Sequence, residues 1–175
     1  LAGSPPAPEG IALERIELAD RPAERLSPET PTADALVLYL HGGGYCIGSP
    51  LSHGVMVSRF AAVMGVPAIV PNYRLGPEHP FPAAVDDALK AYRHLLDGVA
   101  PEGIAIAGDS AGGGLTLALA LAIRDAGLPQ PGCLFVISPW ADLRQVGPAY
   151  AALEPIDAML SKAGLDEFAA AYLSG

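Results

Sequence analysis

Four short apolar runs divide this chain and constrain its fold more tightly than anything else in it: Ala35–Leu40, Pro67–Val70, Ile104–Gly108 and Cys133–Ser138. A strand with one wet face alternates apolar and polar residues. A short continuous apolar run instead fits a strand covered on both faces, the usual state of strands in a parallel sheet. Between the runs lie stretches of helical length, Leu51–Met64, Ala83–Leu96 and Gly112–Ala126, with a last one at Gly164–Leu173. Within Ala83–Leu96 the apolar residues Val85, Ala88, Leu89, Tyr92 and Leu95 share one side, while Asp86, Asp87, Lys90 and Arg93 fall mostly on the other. Gly112–Ala126 is so apolar that burial is expected along it. Strands alternating with helices predict a mostly parallel sheet with helices on both faces. Ile11–Leu18 alternates, as an edge strand does, and Ser27–Ala33 reads as turn. Residues 1–10 read as a linker and 11–175 as one domain. The alternation stops after a helix and before the strand that should follow, so a partial domain is the expectation.

Two of the apolar runs end in glycine motifs. Ala35–Leu40 leads into His41-Gly42-Gly43-Gly44, and Ile104–Gly108 leads into Gly108-Asp109-Ser110-Ala111-Gly112. A serine between a strand and a helix is held in a sharp turn with its hydroxyl exposed, and flanking glycines avoid Cβ clashes there. The Ala111 N–H then lies at a helix N-terminus, where an anion binds well. Alone, the second motif also fits an ordinary helix cap at Ser110. A glycine run after the neighbouring strand changes that balance. It turns backbone N–H groups toward a ligand, and each such donor can lower a transition state by on the order of 3 kcal/mol. Both motifs sit at the C-terminal ends of buried strands, where open α/β sheets bind ligands. His41 reads as an anchor of the glycine loop rather than as a base.

A third block, Tyr73-Arg74-Leu75-Gly76-Pro77-Glu78-His79-Pro80-Phe81-Pro82-Ala83, lies between the two motifs. With them it resembles the bacterial hormone-sensitive-lipase-like carboxylesterases of the GDSAG subgroup, in the α/β-hydrolase superfamily. Gly76 stands where that family usually has alanine. Ser138-Pro139-Trp140-Ala141-Asp142-Leu143 is similar to the block that follows the family's next strand. The third block reads as structural, its prolines and an Arg/Glu pair fixing a loop. The resemblance runs from about residue 35 to the C-terminus and implies an α/β-hydrolase fold. It implies Ser110 as nucleophile, Gly43, Gly44 and the Ala111 N–H as oxyanion hole, and Asp109 as the variable residue of the serine motif. It places Tyr45 in the lining of the substrate pocket. The implied reaction is hydrolysis of short- to medium-chain acyl esters through an acyl-enzyme, without metal or organic cofactor.

The resemblance also implies an acid and a histidine after the serine. The four histidines, at 41, 53, 79 and 94, all precede Ser110, and Asp142, Asp157 and Asp166 do not follow a suitable strand. The expectation is a chain truncated at both ends, with residues 1–10 remaining from a missing helical cap and the triad completed by a C-terminal segment or a second copy. Deleting one triad member costs up to about 10⁶ in kcat, so this chain alone is expected to be nearly inactive. An amide or carbamate hydrolase using the same site, a non-catalytic relative that binds a small ligand, and an inactive assembly fragment remain open.

A net charge of -9 argues against nucleic acid and anionic membrane as partners and favours neutral small molecules. No apolar run reaches the length of a membrane span. No signal peptide is visible in a chain that starts at Leu1 rather than Met, and the cytoplasm is the expected compartment. Cys46 and Cys133 have no metal or redox spacing and read as small buried hydrophobes.

Overall fold

The computed structural model describes residues 7–174. Its six strands form one sheet in the order β1-β2-β4-β3-β5-β6. The strands are β1 (Ile11–Leu18), β2 (Arg21–Pro28), β3 (Leu36–Leu40), β4 (Ala68–Pro71), β5 (Ile104–Asp109) and β6 (Cys133–Ile137). The pairs β4–β3, β3–β5 and β5–β6 are parallel, while β1 and β2 join antiparallel at one edge. The helices are α1 (Pro50–Met64), α2 (Ala83–Leu95), α3 (Ser110–Asp125), α4 (Pro148–Leu153) and α5 (Lys162–Tyr172).

The apolar runs behave as their composition requires. Every residue of β3 and β4 is buried. Alternate β3 residues enter two cores: Val37 and Tyr39 pack with Val57 and Ala61 of α1, and Leu36, Leu38 and Leu40 pack with Leu115 and Leu119 of α3. Leu38 and Leu40 are fully buried, each worth roughly 1.5–3 kcal/mol of transfer free energy. Helix α1 has clear local reasons for its limits. Ser49 and Ser52 cap each other's backbone at its start, Pro50 occupies the first turn, and Gly65 ends it at φ 67°.

Several expectations need correction. Strand β2 falls partly in a stretch read as turn. It follows β1 through a two-residue hairpin at Ala19 and Asp20, both with positive φ, and Leu18 pairs with Arg21. Strand β6 departs from the burial on both faces that its apolar run predicts. Among the described residues it pairs with β5 alone, and Leu134 and Phe135 are 41% and 56% exposed. Neither cysteine is buried: Cys133 is exposed on this strand and Cys46 is intermediate. Arg74 pairs not with Glu78 but with Asp87 of α2, its Nη2 lying 2.7 Å from Oδ1. Helix α4 has no counterpart among the elements the sequence predicts. The linker reading of 1–10 lies mostly outside the described residues.

Candidate active site

The register of the sheet brings the two glycine motifs together. Leu40, the last residue of β3, is paired with Gly108 of the parallel neighbour β5. His41 and Asp109 therefore leave the sheet side by side. Ser110 follows at φ 51°, a left-handed conformation that costs a non-glycine residue energy and is held by its surroundings. The Trp140 N–H donates to the Ser110 carbonyl at 2.8 Å. A Cβ on Gly112 would run into the Leu40 and His41 carbonyls, so only glycine lets α3 approach β3 this closely.

Asp109 joins the motifs directly. Its Oδ1 accepts the Gly42 N–H at 3.0 Å and the Tyr39 hydroxyl at 2.9 Å. Its Oδ2 lies 3.5 Å from His53 Nε2, on α1. Burial opposes the charge, yet the donors from His53, Tyr39 and Gly42 hold the carboxyl below the usual range. The same burial and the adjacent Asp109 carboxylate push the Tyr39 hydroxyl up. Although Asp109 stands at the N-cap position of α3, its side chain makes no capping hydrogen bond to that helix.

His41 is fully buried. Its Nδ1 donates to the Gly42 carbonyl at 2.8 Å, the tautomer that this acceptor requires. The ring stacks on Tyr73 with centroids 4.3 Å apart, and the Tyr73 hydroxyl donates to the His41 carbonyl at 2.6 Å. Burial pushes the imidazole down to about 4. A neutral ring already committed to the loop backbone suits the anchoring role. The Tyr73–Ala83 block thus has a visible function: Tyr73 holds His41, the Gly76 N–H donates to the Tyr45 carbonyl at 2.9 Å, and Arg74 ties the block to α2.

Gly43 has φ 122°, a conformation open to glycine, and its carbonyl accepts the Cys46 and Ile47 N–H groups. Among the described residues, no acceptor takes the Gly43 or Gly44 N–H. Gly44 backs onto Phe168 of α5. Tyr45 is buried, stacked on Tyr172 at 4.0 Å and tilted against Trp140. It lines an apolar cavity of ≈ 270 Å³ with Phe81, Leu121, Leu143 and Tyr172, and Ser110 is not among the walls. Ala111 is buried in the first turn of α3.

Sequence reasoning missed Tyr39, His53, Phe168 and Tyr172. Strand parity puts Tyr39 and Asp109 on the same face, a usable signal for that pair. Nothing local points α5 at the glycine loop. Among the described residues there is no metal-ligating cluster and no helix long and apolar enough to cross a membrane.

A family profile described as the alpha/beta hydrolase fold matches residues 37–175. The chain is 46% identical over 140 residues to an acetyl-hydrolase of Streptomyces hygroscopicus, an alignment covering 79% of this chain and 47% of that one. It is 32% identical over 165 residues to an esterase of Acinetobacter venetianus, covering 94% and 54%. An esterase from the bacterial hormone-sensitive lipase family superposes with a TM-score of 0.95 at 42% identity, over 99% of this chain and 59% of that one. The chain spans about half the length of the curated relatives it matches.

Proposed function

The chain belongs to the alpha/beta hydrolase fold family, in its hormone-sensitive-lipase-like branch, and from that premise we propose that it carries the nucleophile and oxyanion half of a serine carboxylesterase site acting on short- to medium-chain acyl esters. Ser110 Oγ attacks the ester carbonyl. The N–H groups of Gly43, Gly44 and Ala111 receive the oxyanion that forms, and the base that takes the Ser110 proton returns it to the departing alcohol, leaving an acyl-serine. Water attacks that ester, Ser110 is regenerated, and the carboxylic acid departs. The observation that carries this reading is Ser110 at φ 51° on the strand–helix junction, beside a glycine loop with free N–H groups.

The base is proposed to come from outside residues 1–175, from a further segment or a second copy. His41 is committed to the loop, His53 faces Asp109, and His79 and His94 are exposed on other elements. An unassisted serine hydroxyl is a weak nucleophile at neutral pH.

Intact mass after incubation with a fluorophosphonate tests the assignment. One adduct on the wild-type chain and none on Ser110→Ala is the result expected once a base reaches the serine. An adduct that persists in Ser110→Ala would overturn the nucleophile assignment. No adduct on the folded chain, with or without the longer protein's remaining segment, would favour a relative that binds a small ligand without turning it over.

A further inference from the structure

We propose that Asp109, supported by Tyr39 and His53, is a positioning residue that clamps the Gly42–Gly44 loop to the serine turn. Its position at the start of α3 suggests an ordinary helix cap, yet the carboxylate makes no capping bond to that helix. It turns instead to β3 and α1. One oxygen takes the Gly42 N–H and the Tyr39 hydroxyl, and the other faces His53. Asp109 is covalently next to Ser110, and Gly42 is next to Gly43. A single carboxylate therefore fixes the distance between the nucleophile and the first donor of the loop. Loops with two freely varying ends position donors poorly, and a charged hydrogen bond to one end removes that freedom.

The arrangement also resolves a conflict of charge. A carboxylate beside a nucleophile opposes the negative charge that forms on the substrate. Here its oxygens are turned toward three donors on the α1 side of the sheet. The titratable groups around it are Tyr39 on β3, His53 on α1, and His41 and Tyr73 beyond the Gly42 peptide. The value of the clamp to catalysis rests on the oxyanion reading of Gly43 and Gly44, but its existence does not.

The test is amide exchange by NMR on the 175-residue chain, with Gly42 as reporter and the helix-cap amides of Gly65 and Gly127 as fold controls. In Asp109→Ala, Gly42 exchange is expected to rise about ten- to a hundredfold, the range set by loss of one charged hydrogen bond. The Gly43 and Gly44 amide shifts should move with it. Asp109→Asn retains an acceptor oxygen and should restore most of the protection. Unchanged Gly42 exchange in folded Asp109→Ala, or an Asn variant as damaging as Ala, would overturn the clamp. Where Asp109→Ala does not fold, Tyr39→Phe removes a single hydroxyl from the same oxygen. It should shift the Gly42 amide, and an unmoved resonance counts against the proposal equally. Failure of the esterase reading would look different: no serine adduct, with the Gly42 response intact.

Discussion

The buried His41 ring carries an energetic consequence that can be measured. Its folded-state value lies near 4 against 6.5 for an exposed imidazole. Burial thus favours the neutral form by roughly 3 kcal/mol. A lowered histidine value means that the unfolded chain binds the extra proton first. The stability is fully present above pH 6.5 and is lost as pH falls toward 4. Urea denaturation of wild type should lose stability across that interval, and His41→Gln should flatten the slope. An equal slope in both would place the loss elsewhere. Asp87 and Asp109 act in a separate, lower window. Burial opposes the Asp87 charge, but hydrogen bonds and charge from Arg74 keep its carboxyl below the ordinary range, and Asp109 is lowered likewise. Both contribute stability above about pH 4 that disappears as pH falls further. Of the pair, Asp87 is the buried partner and the Arg74 side chain is 30% exposed, so removing the carboxylate leaves a guanidinium that water still reaches. Asp87→Ala should therefore cost about 1.5–3 kcal/mol at neutral pH, the value of the charged hydrogen bonds it removes, read as a fall in thermal midpoint.

Among the elements, the β5–α3 turn is the one on which the site depends. Gly112 inside this turn and Gly127, beyond the far end of α3, measure what the helix tolerates. Gly112 is not in a left-handed conformation, but an added Cβ meets the Leu40 and His41 carbonyls, which are backbone and cannot swing aside. Gly127 has φ 65° with nothing within 4 Å of an added Cβ. Gly127→Ala should cost only the left-handed strain of about 1–2 kcal/mol. Gly112→Ala should cost about 3 kcal/mol or more, because overpacking against backbone finds no relief. Equilibrium denaturation of the two variants tests the order, and a reversed order would mean that α3 does not approach β3 so closely. The elements legible in the sequence were those whose local code matched their environment. Leu36–Leu40 is apolar throughout because both of its faces are covered. The glycines around Ser110 are spaced by the contact they permit. Strand β2 escaped notice because its hairpin uses Ala19-Asp20 rather than an Asn-Gly or Asp-Gly pair, and because Pro22, Glu24 and Arg25 break any alternating pattern. The contribution of α5 was unreadable for another reason. Phe168 and Tyr172 meet Gly44 and Tyr45 only through the tertiary fold, more than a hundred residues away in sequence. The sequence marks Asp109 only as a variable position, because its work is done on residues of β3, the glycine loop and α1.

At the scale of the whole molecule, the two sheet edges differ in kind. The β1 edge carries Glu14, Arg15 and Glu17, charged residues that discourage pairing with another strand. The β6 edge carries Cys133, Leu134, Phe135, Val136 and Ile137, and both of its faces are partly open. Register decides which face each residue occupies. Leu134 pairs with Ile106 over the α3 side, and Phe135 pairs with Ala107 over the α1 side. An apolar edge of this type is a template for association with a second strand. The net charge of -9 opposes it through repulsion between molecules. Repulsion between surface charges is screened by salt, whereas apolar contact and strand pairing are not. Self-association of this chain should therefore increase with ionic strength, as followed by sedimentation velocity. Phe135→Glu places a charge on the open face without entering either core. It should lower the associated fraction at high salt and leave the unfolding free energy within about 0.5 kcal/mol of wild type, the usual range for a surface substitution. Equal association of wild type and variant at high salt would exclude the β6 edge as the contact and direct attention to the exposed apolar residues between α4 and α5, Ile156 and Met159.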